Sequence, residues 1–309
     1  MNRLTNLIAA TYTPLNAAGD LNLDQVEPMV EHLLESGITG LYVCGSTGEG
    51  MSLSTDDRRE VAAAYVKAAA GRVPVIIQVG HNSLDEARQL SAHAQEIGAD
   101  IISATCPSYF KVCTVEGLVD CMAEVASGAP DLPFYYYHIP TLTGSNIDMV
   151  DFLTQGAKQI SNLAGLKYTA ATLHEFQECL GLQDGRFDVV WGFDEMLLGA
   201  LATGATAGIG STYNIAAPLY RRLIEAFGSG YVIEARRLQA LSINMIRTLN
   251  QYPFHPAMKA VLGMKGLDVG GCRLPQGRLS DADVESLRTK LTSIGFFEWS
   301  VSCLTTSDS

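Results

Sequence analysis

A repeated unit limits how this chain can fold: a helix stopped by glycine, then a short apolar strand. Asp24 is placed to cap a helix whose apolar positions Val26, Met29, Val30, Leu33 and Leu34 follow helical spacing. Gly37 ends it, and Ile38–Cys44 reads as a strand. Ser83, with Glu86 three residues on, reads as a capping box. Ala87, Leu90, Ala94 and Ile97 then share a face, Gly98 stops the helix, and Ile101 and Ile102 begin a strand. Leu197–Thr203 followed by the small-residue run Gly204–Gly210 repeats the pattern. Leu7–Tyr12, Val75–Val79, Phe134–Tyr137, Leu163–Lys167 and Val189–Trp191 complete the strand candidates. Apolar strands alternating with helices require a parallel sheet covered on both faces. The units fill the first 230 residues without a long linker, which suits an α/β fold of the (β/α)8 TIM barrel type. A doubly wound open sheet is the alternative. Beyond residue 230 strand signals stop, and Ile233–Asn250, Pro256–Gly263 and Ser280–Ile294 read as additional C-terminal helices packed on the barrel. The expected division is therefore a barrel over 1–230 and a helical extension over 231–309, with a frayed tail at Thr305–Ser309.

Composition excludes several function classes. Hydrophobic residues make up 47% and charged residues 17%, enough apolar material for a large core. A net charge of -12 opposes nucleic-acid binding, which needs a basic face, but leaves room for a small anionic substrate held by local donors. The start, Met1–Ile8, lacks a long apolar region with a small-residue cleavage site, so no secretory signal is expected. No apolar run is long enough to span a bilayer. The seven cysteines, Cys303 the last of them, are odd in number and scattered, without C-x-x-C. Together with the lack of an N-x-S/T sequon, this fits reduced thiols in a cytoplasmic protein. The six histidines show neither H-x-H nor H-E-x-x-H, so no catalytic metal is expected.

The unusual residues fall at strand ends, where a barrel gathers its active site. Lys167 closes the apolar run Leu163-Ala-Gly-Leu166. Burial there favours the neutral amine, a nucleophile for a carbonyl carbon. The alternative is a lysine that snorkels its ammonium into water. Gly45-Ser-Thr-Gly-Glu49 follows the second strand, and its hydroxyls and N–H groups can hold an anion. A nucleotide phosphate loop would add a Lys-Ser/Thr pair that is missing here, and a plain turn is the remaining reading. In Pro133–Pro140, alternation sends Tyr135 and Tyr137 to one face and Tyr136 to the other. A tyrosine at that strand end can pass protons, or it can simply fill a core. Gly192-Phe-Asp-Glu195 offers two acceptors for hydroxyl groups, or ordinary acids at a helix start. Gly210-Ser-Thr-Tyr-Asn214 is again small and polar.

In this order, Gly45–Glu49, Tyr137-His-Ile-Pro140, Gly165-Leu-Lys167 and Gly192–Glu195 resemble the pyruvate-dependent class I aldolases, the group of the N-acetylneuraminate lyases and dihydrodipicolinate synthases. The run Leu132–Gly144, with Gly48–Ser54 and Gly210–Asn214, is most similar to the animal-type lyases. The resemblance implies that Lys167 forms the Schiff base and Tyr137 shuttles the proton. It implies that Ser46 and Thr47 hold the pyruvoyl carboxylate. It places Thr169, Gly192, Asp194, Glu195 and Ser211 against the rest of the substrate. Tyr109 matches a tyrosine that crosses into a neighbouring subunit's site, although here it lies in Pro107-Ser-Tyr-Phe rather than after consecutive aromatics. Synthases of the group usually carry an arginine where this chain has Leu142, and leucine cannot bind a second carboxylate. The resemblance thus implies cleavage of N-acetylneuraminate (sialic acid) to N-acetylmannosamine and pyruvate by a homotetramer without metal or organic cofactor. Another sugar-acid aldolase or dehydratase, and a silent keto-acid-binding barrel, are the alternatives.

Overall fold

The computed structural model describes residues 3–301; Cys303 and the expected frayed tail lie outside the described residues. Eight strands alternate with helices: β1 (Asn6–Ala10), β2 (Gly40–Val43), β3 (Val75–Gln78), β4 (Ile101–Ala104), β5 (Phe134–His138), β6 (Leu163–Tyr168), β7 (Asp188–Trp191) and β8 (Ala207–Gly210). They pair in chain order, and β8 returns to β1 in parallel, with Leu7 opposite Gly208 and Ile8 opposite Ile209. That closure makes a (β/α)8 barrel and removes the open-sheet alternative.

The closure explains why the strands read as unbroken apolar runs. One face fills the barrel interior, with Ile8, Ala10, Tyr42, Ile76, Tyr135 and Tyr137 among its residues. The other packs under the helices, so Tyr136 joins Phe134 and Phe152 in the outer core, as alternation required. Both layers are buried, and each face must be largely apolar for a separate reason. At the N-terminal end of the barrel, Asp188 accepts hydrogen bonds from Leu4 N (2.9 Å) and the Tyr135 hydroxyl (2.8 Å). These contacts tie the segment before β1 across that end of the barrel, with Asp188 buried beneath it.

Gly37 and Gly98 do end their helices in the left-handed region, at φ +84° and +79°. Two capping expectations need correction. Asp24 is not a helix cap: it lies in a 3-10 turn, Leu23–Gln25, that precedes the helix Val26–Glu35. Ser83 caps Leu84–Glu96 by accepting from Glu86 N, but the Glu86 carboxylate does not reciprocate. It accepts instead from Thr55 Oγ1 (2.7 Å) on the neighbouring helix. A reciprocal box does form at Ser54 and Asp57.

After the barrel come helices Val232–Leu249, Phe254–Met264 and Asp281–Ser293, and a short Phe296–Trp299. Their buried residues, including Leu238, Met245, Met258, Val261 and Leu287, join the outer core. Among the described residues no helix is long and apolar enough to cross a membrane. Six cysteines there are free thiols.

Candidate active site

Lys167 and Tyr137 are register partners on β6 and β5, and both point into the barrel near its mouth. Lys167 is 4% exposed. Its Nζ stands 3.9 Å from the ring centroids of both Tyr137 and Tyr42. Among the described residues no carboxylate comes within 4.0 Å of it. Burial lowers its pKa from 10.5 to about 7, with Asp194 pulling it back up. The snorkelling alternative is thereby excluded: the amine is enclosed, and about half neutral at pH 7.

Tyr137 is buried, which pushes its phenol up to about 12, while the neighbouring Ser46 hydroxyl draws it back down. Its proton therefore stays on at neutral pH. Tyr42 from β2 packs edge-on against it, ring centroids 5.7 Å apart, and donates its own hydroxyl to Ser103 Oγ (3.1 Å). Burial holds the Tyr42 phenol well above its ordinary range.

The loop after β2 brings Ser46 and Thr47 to the mouth. Thr47 Oγ1 meets Ser211 Oγ at 2.6 Å, which joins this loop to the one after β8 across the opening. Thr169, just past β6, has a buried hydroxyl oxygen without a hydrogen-bond partner. Gly192 faces it: a β-carbon there would lie 1.9 Å from Thr169 Oγ1, so the close approach demands glycine. Asp194 is buried and accepts from Thr212 N (2.8 Å) and Thr212 Oγ1 (2.6 Å). Burial raises its pKa to about 6 against the pull of those two bonds. Glu195 is half-buried beside it.

These residues line one cavity of about 260 Å3. Ser46, Thr47, Tyr137, Leu142, Lys167, Thr169, Gly192, Asp194, Glu195 and Ser211 all contribute to its wall. Tyr109 does not: it is 79% exposed and pairs edge-on with exposed Phe110, centroids 5.1 Å apart. Sequence reasoning missed Tyr42, which alternation along Ile38–Cys44 could have placed inside the barrel. It also missed Ile246, Asn250, Phe254 and His255, which the C-terminal helices bring to the rim. No strand-end signal marks those four.

The site places an amine that is about half neutral at pH 7, a protonated phenol and a ring of hydroxyls around a small polar cavity. That set suits attack on a ketone flanked by a carboxylate. Comparison with known proteins agrees. An N-acetylneuraminate lyase of Xenopus tropicalis is 39% identical over 297 residues, covering 94% of this chain and 97% of that protein. The N-acetylneuraminate lyase of Homo sapiens is 36% identical over 302 residues, covering 96% and 94%. The solved structure of Proteus mirabilis N-acetylneuraminate lyase superposes with a TM-score of 0.93 at 37% identity, covering 96% of this chain and 100% of that one. With its residues 3–294 matching the model of the dihydrodipicolinate synthetase family, the chain belongs to that family.

Proposed function

We propose that this chain is a class I aldolase, a carbon–carbon lyase that reversibly cleaves N-acetylneuraminate to N-acetylmannosamine and pyruvate. One observation carries the reading: the enclosed Lys167 amine, with no carboxylate within 4.0 Å among the described residues, faces the Tyr137 ring at 3.9 Å. Relatives bearing that activity in their names, aligned over nearly the whole chain, support it. Leu142 on the cavity wall, in place of an arginine, favours a polyhydroxylated substrate over one with a second carboxylate.

In the reaction, the carboxylate of the open-chain substrate sits against Ser46 and Thr47, which presents its C2 ketone to Lys167. The neutral amine attacks, water leaves, and a protonated imine results. The imine accepts the electron pair of the C3–C4 bond as that bond breaks. Tyr137 acts as a relay, because its high pKa keeps it protonated at rest. It takes the C4 hydroxyl proton while giving its own to the substrate carboxylate. C4 becomes the aldehyde of N-acetylmannosamine, whose hydroxyls are held by Thr169, Asp194, Glu195 and Ser211, beside Gly192. The enamine left behind is protonated at C3, and water releases pyruvate and the free amine. Lys167 itself supplies the electron sink, so the chemistry needs neither metal nor organic cofactor.

The reading extends to assembly and location. The segment up to residue 230 supplies the catalytic barrel, and the helices between 232 and 299 form an extension that completes its rim. Exposed Tyr109 reaches a neighbouring subunit's site in a homotetramer, and the enzyme works in the cytoplasm. Borohydride reduction during incubation with N-acetylneuraminate tests the core claim. Peptide mass spectrometry should find a pyruvate-sized adduct on Lys167 and none in Lys167→Arg protein. A folded wild-type chain without that adduct would remove this substrate.

A further inference from the structure

The motif Gly45–Glu49 ends in a carboxylate that the proposed reaction does not use. The side chain of Glu49 is 0% exposed, and its Oε1 lies 2.7 Å from Nζ of Lys259, whose side chain is likewise buried. Lys259 comes from the helix Phe254–Met264 in the extension. The same Nζ donates to Thr13 O (2.8 Å) and Gly271 O (2.6 Å). The ammonium thus donates to two carbonyls and meets Glu49 Oε1 as an ion pair, without a hydrogen bond to that oxygen. Glu49 Oε2 accepts from Arg273 N at 2.7 Å, so one carboxylate oxygen is hydrogen-bonded and the other is held by the charge of Lys259.

The backbone around Glu49 shows what the pair holds in place. Glu49 sits at φ +58°, a left-handed conformation that side chains with a β-carbon disfavour. Its N–H closes a turn onto Ser46 O (3.2 Å). Thr13 completes the tie: its carbonyl takes Lys259, while its hydroxyl donates to Gly48 O at 2.6 Å. Ser46 and Thr47 are therefore carried on a strained turn whose far end is anchored in the extension. Stability alone is a weak reason for such an arrangement, because apolar residues of similar volume commonly replace a buried ion pair without loss.

We propose that Glu49 and Lys259 are positioning residues: their ion pair locks the turn that presents Ser46 and Thr47 to the substrate carboxylate. The proposal rests on the reading of those two hydroxyls as the carboxylate site. It assigns the extension a part in substrate binding through a contact that touches no substrate atom.

The test uses the full chain and pyruvate as the probe. Borohydride trapping on Lys167 is measured across pyruvate concentrations for wild type and for the double variant Glu49→Gln/Lys259→Met, which removes both charges together. Thermal denaturation is followed in parallel. The double variant should stay folded and need about tenfold more pyruvate for half-maximal trapping, with the maximal trapping rate much less affected. A folded double variant with wild-type half-saturation, whatever its melting temperature, overturns the proposal. If the double variant does not fold, Glu49→Gln alone decides by the same criterion. Wild-type protein that traps no pyruvate overturns the aldolase reading, and the clamp with it. Wild-type trapping with an unchanged variant overturns the clamp alone.

Discussion

The enclosed position of Lys167 makes the pH dependence of imine formation a sharp test. An ordinary lysine at 10.5 is neutral in only about one molecule in 3,000 at pH 7, whereas one at about 7 is half neutral. Burial therefore supplies roughly a 1,500-fold gain in nucleophilic amine at neutral pH. Second-order trapping of subsaturating pyruvate by borohydride reports the free enzyme. Its rate should climb about tenfold per pH unit below 7 and level off above it. At pH 5.5 it should stand up to about thirtyfold below the plateau, and less as Asp194 protonates and its support of the ammonium fades. The groups facing the amine are Tyr42, Tyr137 and Asp194. Both tyrosines titrate far above this window, Tyr137 at about 12. Asp194, at about 6, is mostly ionised at pH 7 and is the charge that props up the ammonium. Asp194→Asn removes that negative charge, so the ammonium loses support and the midpoint should move to lower pH. A wild-type rate still climbing tenfold per unit between pH 8 and 9 would refute the enclosed-amine argument, as would an Asp194→Asn midpoint displaced upward.

Burying a lysine for chemistry has a cost in stability. Between about pH 7 and 10.5 the unfolded chain binds a proton at this lysine that the folded chain does not, so the lysine's penalty is full below pH 7 and fades as pH rises to 10.5. Lys167→Met should thus be inactive yet more heat-stable at pH 6, with a gain that shrinks toward pH 10; calorimetry showing a loss of stability at pH 6 would contradict this. Tyr137→Phe should cut the cleavage rate by about 100-fold or more while leaving pyruvate trapping nearly intact, and equal losses in both would argue against a proton relay. Gly192→Ala places a β-carbon 1.9 Å from Thr169 Oγ1 and 3.0 Å from Tyr168 O, so β6 and β7 must part at the site. A destabilisation of about 1–3 kcal/mol and a marked loss of kcat/KM are expected, and wild-type kinetics would show that the close approach is not needed.

Local pattern revealed the layers of this protein, and long-range contacts supplied what pattern missed. Alternation along Phe134–Tyr137 put Tyr137 inside the barrel, and the apolar run before Lys167 marked its burial. Yet that Tyr137 and Lys167 stand side by side follows from the pairing of β5 with β6, a fact of closure that neither segment carries alone. Asp24 and Glu86 were misread because a 3-10 turn and a neighbouring helix, respectively, claimed them. The two buried lysines show most plainly where pattern stops. Lys167 and Lys259 both sit among apolar neighbours, 4% and 2% exposed. Around Lys259 the fold gathers a carboxylate at ion-pair distance and two carbonyls that accept its N–H groups, and together they hold it as an anchor. Around Lys167 it gathers two tyrosine rings, and no carboxylate within 4.0 Å among the described residues. Desolvation without a partner frees the amine's lone pair for attack. The difference between a structural and a reactive lysine therefore lies in what the barrel's closure brings to each.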